Sequence, residues 1–285
     1  MTQVIKYSDF DVSEITGTKP SIRGGKDKLT AYLLYKNSPF LIKLPPLKAP
    51  FGVTSYNNGN GPTNNYSLNL SAKGGDVKGK TTAEEAQQHA EDIFNKLAEL
   101  DTFMVSYGLQ YSKEIFNKKY EVGKHEAVVE ALFTSTIKTS EDKDGNPYPR
   151  RINTKIRSQY DEPDNPNVKV FQDSRKDLNN KDFTFDDLVN LVGKGSFVEA
   201  VIQPSLWFIS GKFGVTWRLV QMKAHKQAGT GAPQESVFSD DEDASEDDNT
   251  NNTKEENSSN VVEEAEDSDE DDENNDEEVE EIQEV

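Results

Sequence analysis

No cysteine occurs in the 285 residues, which excludes a disulfide framework and any thiolate metal site. Histidine is nearly as scarce. With only His89, His125 and His225, a structural zinc site would need carboxylates to complete it. None of the three sits in a recognisable catalytic pattern, there is no G-x-S-x-G elbow, and no metal-ligand spacing emerges. The residues make no case for an enzyme and call for no cofactor. Long apolar runs are also lacking: none approaches the ~20 residues needed to span a bilayer. The N-terminus, MTQVIKYSDFDVSE, has no basic stretch followed by an apolar core and so does not read as a secretory signal. The expectation is an intracellular protein with no membrane partner.

Acid is abundant, but it is unevenly placed. The formal net charge is -20, which over the whole chain argues against a polyanionic partner. From Gly229 to Val285, however, there are 25 Asp/Glu and a single basic residue, Lys254. Residues 1–228 are left with 31 basic and 27 acidic residues, a net of +4. Two regions are therefore expected: a weakly basic folded domain over 1–228 and an acidic tail over 229–285. Gly, Ser, Asn, Asp and Glu dominate the tail, which cannot bury enough apolar surface to offset the ~1–2 kcal/mol of backbone entropy lost per ordered residue. Disorder is expected there, and a bland solubility tail is the plainest reading of it.

Within 1–228 the patterning is mainly β. The stretch from Leu29 to Leu44 reads as two short strands divided at Asn37-Ser38-Pro39. Pro45 and Pro46 end it, and Lys48-Ala-Pro-Phe51-Gly forms a loop. Tyr66, Leu68 and Leu70 alternate with Ser67, Asn69 and Ser71, as in a half-buried strand. The clearest helix starts at Thr81 or Thr82, each followed three residues later by Glu84 or Glu85 in a capping-box pattern. Its apolar face runs Ala86, Ala90, Ile93, Phe94, Leu97 and Met104. Further helix is expected near Ser112–Lys119, residues 124–132 are ambiguous, and strands are expected over Leu132–Lys138, Arg150–Ser158 and Val168–Gln172. The strongest β signal spans Phe197–His225, two runs joined at Ser210-Gly211-Lys212. In the second run Phe213, Val215, Trp217 and Leu219 share one face, and Lys212, Thr216 and Arg218 the other. Pro204 marks an edge or a bulge.

One motif suggests nucleotide chemistry. Gly74-Gly-Asp-Val-Lys-Gly79-Lys80-Thr81 fits the phosphate-loop pattern G-x-x-x-x-G-K-[ST] between a strand and a helix. Against it, the preceding strand alternates instead of being apolar on both faces, Glu84 and Glu85 would oppose a triphosphate, and no later strand ends in a magnesium-binding Asp.

A nucleic-acid reading has broader support. Binding single strands without sequence preference needs a basic groove and aromatic platforms, stacking being worth ~1–3 kcal/mol per base. Basic and aromatic residues interleave at Lys43, Lys48, Phe51 and Tyr56; at Arg150, Arg151, Lys155 and Arg157; and at Trp207, Lys212, Trp217 and Arg218. Trp217 shares the parity of an apolar face, so a core position competes with a stacking role. Trp207 and Phe208 fall on opposite faces, so one of them should be exposed.

The segment Ile202-Gln-Pro-Ser-Leu-Trp-Phe-Ile-Ser-Gly-Lys-Phe-Gly-Val-Thr-Trp-Arg-Leu-Val-Gln221 resembles the C-terminal hairpin of the single-stranded DNA-binding proteins of large nucleocytoplasmic DNA viruses, a group similar to those of small podophages. The order of parts agrees: a strand ending Leu41-Ile-Lys-Leu-Pro45, the Lys48-Ala-Pro-Phe51-Gly-Val loop, a helix on the barrel, the hairpin, then the acidic tail. The resemblance implies a mainly β fold with α, an OB-fold-like Greek-key barrel carrying a packed helix. It further implies DNA across its strands, self-association as a homodimer, and a role in viral DNA replication, recombination or repair in the host cytoplasm or nucleus. It also implies that the tail recruits replication proteins such as polymerase or helicase. In the phage relatives the tail ends in an aromatic residue, whereas this one ends Val279-Glu-Glu-Ile282-Gln-Glu-Val285. Competing readings are a histone-chaperone-like or other protein-binding role and a structural virion protein.

Overall fold

The computed structural model describes residues 2–22, 28–56, 65–77, 79, 81–172, 178 and 183–225. Lys78 and Lys80 of the glycine-lysine loop, and the whole of 229–285, lie outside the described residues. So does the expectation of disorder placed on that segment.

Six strands define the architecture: β1 (Phe40–Lys43), β2 (Leu47–Lys48), β3 (Asn65–Gly74), β4 (Arg151–Ile156), β5 (Phe197–Ile209) and β6 (Lys212–His225). The β1–β2 run is one strand broken by Pro45-Pro46, and both pieces pair antiparallel with β5. From β2 the hydrogen bonding passes to β3, then β4, β6 and β5, and β5 returns to β2. The sheet therefore closes on itself. All contacts in the ring are antiparallel except β4 with β6, which is parallel. Counting the β1–β2 run as one strand, this is a five-stranded Greek-key barrel with the connectivity of an OB fold. Closure removes the exposed edges that an open sheet would leave available for aggregation.

Alternation explains which side chains fill it. Leu68 and Leu70 on β3, Ile152 and Ile156 on β4, and Phe213, Trp217 and Leu219 on β6 are buried, as the period of two requires. Thr154 shares that inward parity at 0 % exposure, and its hydroxyl is satisfied by donating to the Leu68 carbonyl. Trp217 is among the largest fully buried side chains. Trp217→Ala should cost about 3–5 kcal/mol of stability, read as a lowered denaturant midpoint. A loss under 1 kcal/mol would contradict its place in the core.

Helices plug both ends of the barrel. Helix α1 (Ala83–Gln110) crosses the end where β3 finishes and β4 and β6 begin, burying Ile93, Phe94, Leu97, Leu100 and Met104. Its start is fixed by the capping box: the Thr82 hydroxyl accepts from the Glu85 amide while the Glu85 carboxylate accepts from the Thr82 amide. Gly74 lets helix and strand meet, since a Cβ there would fall 1.8 Å from the Ala86 carbonyl oxygen. Short helices α2 (Ser112–Phe116) and α3 (Glu126–Leu132) follow. The stretch expected as a strand over Leu132–Lys138 divides into Phe133–Thr134 and Ile137–Lys138. Between those two strands the Asp101 carboxylate accepts from the Ser135 and Thr136 hydroxyls and the Thr136 amide, tying the segment to α1. Burial raises the Asp101 carboxyl above its ordinary pKa, and these donors offset part of that rise. At the other end, α4 (Phe185–Leu191) stacks Phe185 on Tyr66 with ring centroids 3.8 Å apart.

The phosphate-loop reading does not survive this topology. The strand before the loop is β3, whose partners β2, β4 and Val53–Tyr56 are all antiparallel, so no parallel β-α-β unit surrounds the motif. Two of the amides at the α1 N-terminus are part of the capping box, and the first turn carries Glu84 and Glu85.

Candidate nucleic-acid interface

The outward residues of β4 are Arg151, Asn153 and Lys155, with Arg157 next on the same parity. Register determines what stands beside each. One rung across the outer surface reads Lys48 on β2, Ser71 on β3, Arg151 on β4 and Lys138. The Arg151 guanidinium lies over the Phe51 ring, 5.5 Å from its centroid, so the loop after β2 supplies an aromatic lid to this rung. A second rung reads Thr54, Ser67, Lys155, Arg218 and Gln203, five residues in direct cross-strand register. The parallel β4–β6 pairing seats Lys155 beside Arg218. Arg157 is near enough that its charge, after burial, helps lower the Arg218 pKa.

Among the described residues, Lys48, Arg151, Lys155, Arg157, Arg218 and Lys212 have no carboxylate partner, and Arg218 Nε makes no hydrogen bond. Several other positive charges are paired. Lys19 pairs with Glu114, Lys43 with Glu199, Lys124 with Glu121 and Arg150 with Glu91. A row of cations on a barrel surface attracts a polyanion.

Aromatic residues border the row. Tyr56 is 38 % exposed at the end of Val53–Tyr56, on the same parity as Thr54 of the second rung. Trp207 is half-buried on the outer side of the β5–β6 hairpin, opposite Gly214. A Cβ on Gly214 would come 2.8 Å from the indole, so the glycine lets the ring lie flat across the neighbouring strand. Lys212 stands at the hairpin tip on the parity of Arg218, where Ser210 and Gly211 both take positive φ.

Of the twelve residues singled out from the sequence, nine lie on the outside of the barrel or its loops: Lys48, Phe51, Tyr56, Arg151, Lys155, Arg157, Trp207, Lys212 and Arg218; among them Lys48 shares a rung with Arg151, Lys155 one with Arg218, and Phe51 lies against Arg151. Three stand apart from these. Trp217 is 1 % exposed and lies inside the barrel. Arg150 has the opposite parity to Arg151 and turns to α1, donating to Glu91 and Asn95 with its guanidinium over Phe94. Lys43 sits on the β1–β5 side, 3.6 Å from a Glu199 oxygen; the other oxygen of that carboxylate meets His225. Sequence reasoning missed Lys73 and Lys138. Lys73 was available from the alternation, two residues beyond Ser71. Lys138 depends on its pairing with Arg151, which no local pattern announces.

The fold is thus an OB-type barrel with basic residues on its outer surface. The fold is similar to the solved single-stranded DNA-binding protein from bacteriophage Enc34 in complex with ssDNA, at 14% identity and a TM-score of 0.37, covering 74% of this chain and 96% of that one. It is also similar to gp2.5, a single-stranded DNA binding protein encoded by bacteriophage T7, at 15% identity and a TM-score of 0.35, covering 69% and 97%. These neighbours are phage proteins and lend nothing to the finer assignment to large nucleocytoplasmic DNA viruses. No family model matches the chain, and no curated protein does.

Proposed function

We propose that this chain binds single-stranded DNA without sequence preference, as a non-enzymatic participant in DNA replication, recombination or repair. The observation that carries the reading is the second rung, where Lys155 and Arg218 stand side by side with no carboxylate among the described residues, between strands flanked by Tyr56 and Trp207. Phosphates would follow the cations and bases would stack at the rim. A basic protein such as a histone would meet like charge on the same face. The acidic segment 229–285 completes the proposal as a tethered competitor: with no DNA bound it occupies the cationic face, and DNA releases it to replication partners such as polymerase or helicase. Association of two copies belongs to the same reading.

The test is titration of the full chain with oligo-dT while following tryptophan fluorescence. Saturable quenching at low salt is expected, and Trp207→Phe should abolish most of it, because Trp217 is inside the barrel. Neither quenching nor a mobility shift at any salt concentration would overturn the assignment.

A further inference from the structure

Beside the second rung lies a cavity of about 440 Å³ that the row of cations does not account for. Its walls come from two places. The segment before the barrel contributes Tyr32 and Leu33; the barrel contributes Phe40, Arg157, Gln203 and Arg218. Phe40 and Leu33 are buried and make an apolar floor, while Tyr32 is 49 % exposed at the mouth. The volume lies in the range of small-molecule sites, about 300–1,000 Å³.

The polar groups are arranged unusually for a structural cavity. Two guanidinium groups face it without a carboxylate among the described residues, and Arg218 is half-buried with its Nε unsatisfied. Burial, with the neighbouring Arg157 charge second, lowers the Arg218 pKa, so the pair is held together against repulsion. An anion between them would relieve that repulsion, and planar guanidinium groups match phosphate oxygens in a two-point fashion. Gln203 adds an amide that can both donate to and accept from the edge of a base. The Tyr32 ring lies at the mouth, and the apolar floor suits the face of a base. Anion, amide, ring and apolar floor together match one nucleotide.

Position decides where that nucleotide comes from. Gln203 and Arg218 line the cavity and also belong to the rung that holds Lys155, so the cavity adjoins the cationic row. We infer that the cavity takes one nucleotide turned out of the bound strand, its phosphate between Arg157 and Arg218 and its base against Tyr32 and Gln203. This rests on the single-stranded DNA reading and deepens it. Most bases would stack at the open rim, and one per bound chain would be enclosed.

The experiment uses the full chain and oligo-dT carrying 5-iododeoxyuridine, irradiated at saturation, with modified peptides mapped by mass spectrometry. Crosslinking at Tyr32 is expected, and Tyr32→Ala should weaken oligo-dT binding about fivefold, the low end of a base–aromatic stack. The same substitution should leave binding of an abasic deoxyribose-phosphate strand unchanged. Crosslinks confined to Phe51, Tyr56 or Trp207, with Tyr32→Ala neutral, would leave DNA binding standing and remove the enclosed nucleotide. Labelling of Tyr32 by free 5-iododeoxyuridine monophosphate, but not by the oligonucleotide, would make this a mononucleotide site and overturn the assignment. Failure of the full chain to bind any oligonucleotide would remove both readings.

Discussion

The double substitution Arg151→Glu with Lys155→Glu is expected to weaken oligo-dT binding by at least about a hundredfold and to leave the unfolding midpoint almost unchanged. Hydrogen bonds to charged groups are worth about 1.5–3 kcal/mol each, so losing two reaches that factor before any added repulsion is counted. Stability should be spared because neither side chain has a carboxylate partner among the described residues; the Arg151 contact with Phe51 is the interaction lost. The slope of log affinity against log salt should also fall by about 0.7 for each phosphate contact removed. The informative control is Lys43→Glu. Lys43 is also cationic and exposed, but it lies on the β1–β5 side beside Glu199, and its reversal should change oligo-dT affinity by less than about threefold, a rim-like effect. If both substitutions weaken binding equally, the protein attracts DNA by overall charge and the barrel face has no special role.

Removing 229–285 should act in the opposite direction. The truncated chain loses a segment of net charge -24 and keeps one of +4, so its affinity for oligo-dT should rise about tenfold at low salt. The gain should shrink as salt rises, because the attraction between tethered polyanion and cationic face is screened with a Debye length of about 8–10 Å near physiological ionic strength. The salt dependence of the truncated chain should therefore be steeper than that of the full chain. If the tail lies on the cationic face, its displacement should cancel part of the ion release that accompanies DNA binding in the full chain. Equal affinities and equal slopes for the two chains would dismiss self-competition and leave the segment with a solubility role. Combining the truncation with Arg151→Glu and Lys155→Glu sharpens the test. If the tail lies on that face, deleting it from the substituted chain should have almost no further effect.

Much of this architecture is written locally. The alternation through Phe213, Val215, Trp217 and Leu219 assigns one side of β6 to the interior and leaves Lys212, Thr216 and Arg218 outside. The Thr82–Glu85 box starts α1, although the helix continues six residues beyond Met104 to Gln110. The region 124–132, ambiguous by periodicity, becomes helical at Glu126–Leu132, where Val129 is buried. Pro204 falls in the part of β5 beyond its pairings with β1 and β2, close to the register shift at Val201/Ile202.

By itself the sequence determined the charge division at Gly229, the β-rich character of 1–228 and the inward side of β3 and β6. These follow from composition and a two-residue period, both properties of short segments. Only the tertiary structure decided that Arg151 joins the face while Arg150 anchors α1, that Lys43 is held by Glu199, and that Lys155 meets Arg218. Period two names a side but not a neighbour. Neighbours come from inter-strand register and from the closure of β5 onto β2, which couple residues far apart along the chain and leave no trace in any local pattern.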